Sequence, residues 1–392
     1  MKNPLMNRLG GIYELEGGHQ NRVLSMEGLR GFAVALVFLV HYHTLFILWV
    51  SDGSLTLTIS TFLRSIGHSG VDLFFVLSGY LIYGAAIKKA INYHKFMVRR
   101  VRRIYPTFLA VFMIYLALSF VFPSESKLPA NMFNSIIYVI QNLLLLPGIF
   151  PIEPIITVAW SLSYEIFYYL ALPLIVMGFG MQRWQPRRRV WFFVLLAIVY
   201  TIFCVLVTPR HSRLLMFISG ILLFEAIHSF EIWRTLPRWA EWITVGATLI
   251  MFPIIYILDK HPEWLPSQFG FITYGETIYR IVILFLIFGL LVLACFRSQS
   301  ILQRIFTWTP LRWLGNMSYS YYLIHGLVLK FIELVLKRII PQRPTTPLLF
   351  WGLMPFAFAA TLIGSTLLFM LVEKRFSLAV RRQPREKEVL NV

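Results

Sequence analysis

Apolar residues in this chain come in long unbroken blocks rather than in alternating stripes. Crossing about 30 Å of hydrocarbon takes about 20 apolar residues in a helix, so each block is a candidate span. Ten qualify, at residues 28–50, 69–87, 104–122, 158–177, 190–207, 214–228, 242–258, 277–295, 317–336 and 347–372. A further apolar stretch, 132–146, is shorter and follows Pro129, and it reads as a half-helix or interfacial segment. The expected architecture is therefore an all-α polytopic membrane protein, a bundle of about ten transmembrane helices. It divides into a tail over 1–27, a membrane domain over 28–376 and a basic tail over 377–392.

Composition agrees: 58% of the residues are hydrophobic and 14% charged, against about 45–50% and about 25% in a soluble domain. The formal net charge of +18 would suit a nucleic-acid partner only if the basic residues formed one footprint. They cluster instead at the ends of apolar blocks, where the positive-inside rule expects them, so no nucleic acid is implied. With ten spans both termini share a side, and that side carries 25 of the basic residues against 8 on the other. This asymmetry makes both termini cytoplasmic, although Lys337, Arg338 and Arg343 run against the rule. The opening residues lack the short apolar core of a cleaved signal, so the first span does the targeting. Cys204 and Cys295 lie inside apolar blocks without ligand spacing, and neither a disulfide framework nor a metal site is expected.

Ionisable groups inside a span cost several kcal/mol unless they pair or face water, which makes each one a functional candidate. Arg30 and His41 share a helical face, with His41 roughly 16 Å deeper. Membrane histidines also serve as interhelical hydrogen-bond partners, and that alternative stays open for His41. Asp72 and Ser78 lie in the second block, where Ser78 and Gly79 equally suit close helix packing. Arg100 and Arg103, at i and i+3 on one face, suit phosphates through their planar guanidinium groups, while Arg99 and Arg102 suit anchoring to headgroups. Glu165 falls about 12 Å below the outer surface, so His41, Ser78 and Glu165 are expected in one polar layer near mid-membrane. The outer connection 123–157 is long enough to help receive a substrate.

These segments, in this order, resemble acyltransferase family 3, the multi-pass O-acyltransferases of bacterial glycans. The resemblance rests on Arg30, Gly31 and His41; on Phe74, Phe75, Ser78 and Gly79; on Arg100 and Arg103 before Pro106; on Ser161 and Glu165; and on Ser318, Tyr319, Tyr322, Leu323 and His325. It runs from about Glu27 to Phe376. Arg375 stands where the family often has proline, which loosens any role for Glu373.

The resemblance implies an O-acyltransferase whose donor is acetyl-CoA or another acyl-CoA, a co-substrate rather than a resident cofactor. Its acceptor is a hydroxyl of a glycan or lipid-linked sugar on the opposite face of the membrane. Arg30, Arg100 and Arg103 would hold the donor phosphates, and His41 would be the general base or a transient acyl carrier. Glu165 would orient His41, with Asp72, Ser78, Ser161 and His325 in support. The competing reading is a transporter or flippase of an anionic glycan or lipid, and a third is a non-catalytic scaffold.

Overall fold

A computed structural model describes residues 4–14, 24–88, 92–207, 210–235, 237–261, 275–297, 300–344 and 347–378. Most of the two tails therefore lies outside the described residues. In chain order the helices are α1 (Pro4–Tyr13), α2 (Leu24–Phe46), α3 (Leu55–Gly67), α4 (Ser69–Ile87), α5 (Tyr93–Val121), α6 (Met132–Leu143), α7 (Trp160–Gly178) and α8 (Pro186–Leu206). They continue with α9 (Leu215–His228), α10 (Ile232–Thr235), α11 (Arg238–Lys260), α12 (Gly275–Cys295), α13 (Ile301–Phe306), α14 (Thr309–Asn316), α15 (Ser318–Ile339) and α16 (Pro347–Leu368). No strand occurs among the described residues. Lipid-facing backbone must satisfy its own hydrogen bonds, and helices do this within one segment.

Nine helical runs among the described residues are long and apolar enough to cross a membrane. The expected tenth, 214–228, is α9, which has only 14 residues and is buried along most of its length. At 1.5 Å per residue it reaches about 21 Å, less than a full hydrocarbon core. The second span is also longer than its apolar core suggested. α3 and α4 form one run, Leu55–Ile87, because Ser54 caps α3 by accepting from the Leu57 amide at 3.1 Å and nothing breaks the helix before Ser69. The apolar stretch after Pro129 is the short helix α6, capped by Asn131 and not among the candidate spans. Met132, Phe133, Ile136 and Ile140 stay exposed on it, as an interfacial segment requires.

Two close crossings hold the centre. At the crossing of α4 and α9, a Cβ on Gly79 would collide with the Phe217 carbonyl, and one on Gly220 would collide with the Val76 carbonyl. At the crossing of α2 and α14, Gly31 and Gly315 play the same reciprocal parts against Leu311 and Glu27. Lipid supplies no hydrophobic drive for helices to associate, so backbone approach of this kind is a principal source of packing energy.

The N-terminal segment is more structured than its polarity suggested. The Tyr13 ring stacks on Trp313 and Phe369, and its hydroxyl lies 2.9 Å from Thr366 Oγ1. Lys374 donates to the carbonyls of Gly11 and Ile12, both at 2.7 Å. The start of the described chain is thus fastened to its end.

Candidate active site

α5 begins at Asn92, whose side chain accepts from the Lys95 amide at 2.9 Å. That start places Arg100 and Arg103 one turn apart on the inner face, beside Arg30 of α2. The three arginines line a cavity of about 130 Å³ with Ser78 of α4, Ser161, Glu165 and Tyr169 of α7, and Tyr319 and Tyr322 of α15. Spacing of four residues puts Ser161, Glu165 and Tyr169 on one side of α7. Six of the nine site residues expected from sequence, Arg30, Ser78, Arg100, Arg103, Ser161 and Glu165, therefore meet in one chamber.

Each carboxylate here has definite partners. Glu165 accepts from Ser78 Oγ at 2.7 Å and from the Tyr169 hydroxyl at 3.4 Å. Arg103 donates to Glu373 at 2.7 Å, and the second oxygen of Glu373 accepts from the amide and hydroxyl of Ser320 at 2.9 and 2.5 Å. Glu373 sits in a π-helical turn, Phe369–Ser377, that continues α16. Such turns are frequent at functional sites because the extra residue redirects a side chain. Arg100 is held differently, its guanidinium 5.0 Å from the Phe96 ring centre and 5.1 Å from that of Tyr169.

His41 lies elsewhere. It lines two further cavities, one of about 490 Å³ with His68, Trp160, Tyr164, Arg210 and Arg213. The other, of about 420 Å³, includes Tyr115, Glu125, Lys127, Thr157 and Lys330. Tyr322 lines both the arginine chamber and the first of these. Its hydroxyl lies 2.8 Å from Ser161 Oγ and donates to the Val158 carbonyl at 3.0 Å. Tyr322 and Ser161 thus form a wall between the chamber and His41.

The expected polar layer is therefore split. Ser78 and Glu165 do meet, but Glu165 does not orient His41, because its bonds go to Ser78 and Tyr169 on the far side of that wall. The neighbour of His41 is His325, at 4.9 Å between ring centres. His325 Nδ1 is 2.9 Å from the Tyr321 carbonyl, which can only accept, so Nδ1 carries the proton. Nε2 is left as a buried lone pair with no partner among the described residues. Asp72 is fully buried, 3.7 Å from Arg213, and does not line the arginine chamber.

The acyltransferase domain family matches residues 23–370, which takes in every site residue expected from sequence and stops just short of Glu373. The chain belongs to acyltransferase family 3. It is 24% identical to O-acetyltransferase OatA of Staphylococcus aureus (strain NCTC 8325 / PS 47) over 335 residues, 79% of this chain and 51% of that protein. Against Peptidoglycan O-acetyltransferase OatA of Listeria monocytogenes it is 24% identical over 341 residues, 80% of this chain and 50% of the relative. The chain thus spans about half the length of the curated relatives it matches. No solved structure matches.

Two residues that shape the site of this family member escaped the sequence reading. Glu373 was discounted because Arg375 replaces a proline, yet the carboxylate itself is present and pairs with Arg103. Arg213 lies in the connection between α8 and α9, where nothing in the sequence singles it out. Its loop is in fact fastened by three tyrosines: Tyr164 bonds the Arg210 carbonyl and His211 Nδ1, Tyr200 the His211 carbonyl, and Tyr168 the Leu214 carbonyl. Burial and the adjacent Arg210 hold the His211 imidazole below its ordinary pKa, because both disfavour its charged form. Among the described residues no His, Cys, Asp or Glu group could hold a metal ion.

Proposed function

We propose that this chain moves an acetyl group from acetyl-CoA, bound at the arginine chamber, to a hydroxyl of a cell-envelope glycan presented at the cavities beside His41. One observation carries the reading: phosphate-type donors and a candidate base stand on opposite sides of a single thin wall, Ser161 and Tyr322. Arg30, Arg100 and Arg103 suit the charged nucleotide end of the donor. The roughly 16 Å between Arg30 and His41 along α2 suits its pantetheine arm.

In the transfer, the acceptor oxygen attacks the thioester carbonyl, a C–O bond forms and the C–S bond breaks. His41 takes the hydroxyl proton and returns it to the departing CoA thiolate, so the step needs no other reactant. His325, whose ring centre is 4.9 Å from that of His41, offers an unprotonated Nε2 that can accept from His41 once the ring carries the extra proton. The wall must open for the thioester to reach His41, so Tyr322 and Ser161 form a gate. If His41 instead carries the acetyl group transiently, the same gate separates two half-reactions.

The membrane arrangement proposed is an inner-membrane protein with both termini cytosolic. Support comes from the basic asymmetry and from the contacts of Tyr13 with Thr366 and of Lys374 with Gly11, which bring the two ends of the described chain together. That arrangement brings the arginine chamber to the donor's side.

The test uses purified full-length protein and radiolabelled acetyl-CoA. Saturable binding is expected, together with label transferred to envelope material in solubilised membranes. A glycan transporter or flippase has no use for acetyl-CoA, and absence of binding would remove the acyltransferase reading.

A further inference from the structure

The cavity of about 490 Å³ beside His41 has a chemical character that the transfer reaction alone does not call for. Its ionisable lining is His41, His68, Arg210 and Arg213, with no carboxylate. Arg213 is set there deliberately. Its guanidinium lies 5.4 Å from the Trp160 ring centre, and among the described residues the carboxylate that pairs with it, Asp72, approaches its Nε at 3.7 Å. No described residue accepts a hydrogen bond from its terminal nitrogens, and both Asp72 oxygens likewise lack hydrogen-bond partners. The neighbouring Arg280 shows what a closed pair looks like here: it donates to Asp259 at 3.0 Å and to the Ser65 carbonyl at 2.9 Å. Arg213 thus keeps its fork open on a loop whose carbonyls are tied down by Tyr164, Tyr168 and Tyr200.

A fixed guanidinium with free donors lining a cavity that carries no carboxylate is a built receptor for an oxyanion. We propose that the acceptor carries an anionic group, a carboxylate or a phosphate, and that Arg213 reads it while the hydroxyl to be acylated lies at His41. Asp72 offsets the cost of holding Arg213 in place when the cavity is empty, and its long, poorly aligned contact leaves the fork for the ligand. The proposal rests on the acetyl-transfer reading and names the acceptor class that the reading leaves open.

Solubilised membranes containing the full chain would be supplied with radiolabelled acetyl-CoA, and the labelled product passed over an anion exchanger at neutral pH. Retention of the label is expected. Neutralisation by carbodiimide coupling would identify a carboxylate, and release by hydrofluoric acid a phosphate. A labelled product that is neutral overturns the proposal while leaving acetyl transfer intact. If no label is transferred, the transfer reading fails and the proposal fails with it.

Arg213→Gln is expected to slow transfer at least tenfold with the KM for acetyl-CoA unchanged, and Arg213→Lys to recover part of the rate. Because Asp72 loses its cation in the first variant, Asp72→Asn combined with Arg213→Gln controls for folding and should stay equally slow. Wild-type transfer by that folded double variant would exclude Arg213 as the acceptor's reader.

Discussion

Around the arginine chamber the carboxylates are occupied: Glu165 holds Ser78 and Tyr169, and Glu373 holds Arg103 and Ser320. Around the cavities beside His41 the polar groups are left open: Asp72 has no hydrogen bond and His325 Nε2 has no partner among the described residues. Buried polar groups without partners are costly, so Asp72 and His325 Nε2 mark a place where a ligand would complete the structure, while in the arginine chamber the unpartnered group is the Ser318 hydroxyl. The closed side has a different logic. Its cations are pre-positioned by internal partners, Arg103 by an ion pair and Arg100 by two aromatic rings, so that under the proposed function a strongly charged donor would meet a rigid frame. A donor common to many enzymes suits a fixed frame, and a variable acceptor suits an open one.

Substitutions can break this contrast, and the largest effect is expected at His41. His41→Ala should lower acetyl transfer by about 10²–10⁴-fold, the range for a lost general base, while acetyl-CoA binding by the purified variant stays near wild type. If His41→Gln, which keeps hydrogen-bonding capacity, turns over normally per folded molecule, then His41 is a packing residue and the open side has no base.

Next comes the ion pair on the closed side. Glu373→Ala strands Arg103 and should destabilise the protein by about 3 kcal/mol, read as a lowered unfolding temperature in detergent. Combining it with Arg103→Met should recover most of that stability but not donor binding, since an apolar pair can replace a buried ion pair structurally. Recovery of donor affinity in the double variant would show that Arg103 is scaffolding alone.

A smaller loss is expected for Arg100→Lys. The charge is kept but the planar stacking over Phe96 and Tyr169 is lost, and acetyl-CoA should bind about tenfold more weakly. Titration of purified protein measures this, and unchanged affinity coupled with weakening in Arg99→Ala would move the donor site to the other face of α5. The mildest change is Tyr322→Phe, which removes a hydroxyl bridging Ser161 and the Val158 carbonyl. It should cost about 1 kcal/mol of stability and raise the slow hydrolysis of acetyl-CoA by water, because the wall is loosened. Hydrolysis that stays at the wild-type level would argue that the wall is not a gate.

Much of this was legible in the sequence, and for identifiable reasons. A hydrocarbon core imposes a length and a polarity on every span, so hydropathy located nearly all of the crossings and the half-helix at α6. Spacing within one helix is equally rigid. Arg100 with Arg103, and Ser161 with Glu165, had to share faces, and they do. The local rule failed where burial came from neighbours instead of composition. α9 is too short to be a clear span and is covered on most sides by other helices, while α3 is polar enough to look like a loop yet joins α4 in one continuous run.

Depth along a helix axis could be counted from the sequence, and it correctly set Arg30 well apart from His41 and placed Ser78 level with Glu165. What counting could not give was rotation and lateral order, because those are settled by which helices approach closely enough to pack. Gly79 against Phe217 and Gly31 against Leu311 fix that order through backbone contact. The result puts Tyr322 between Glu165 and His41 and gives His41 a histidine neighbour in place of the expected carboxylate. In the same way, Arg103 and Glu373 are joined across 270 positions of chain. The sequence by itself determined a helical membrane protein of this family and the residue types its chemistry needs. Only the tertiary structure decided which of them face one another, since partners in a bundle are selected by interhelical packing and hydrogen bonding and not by proximity along the chain.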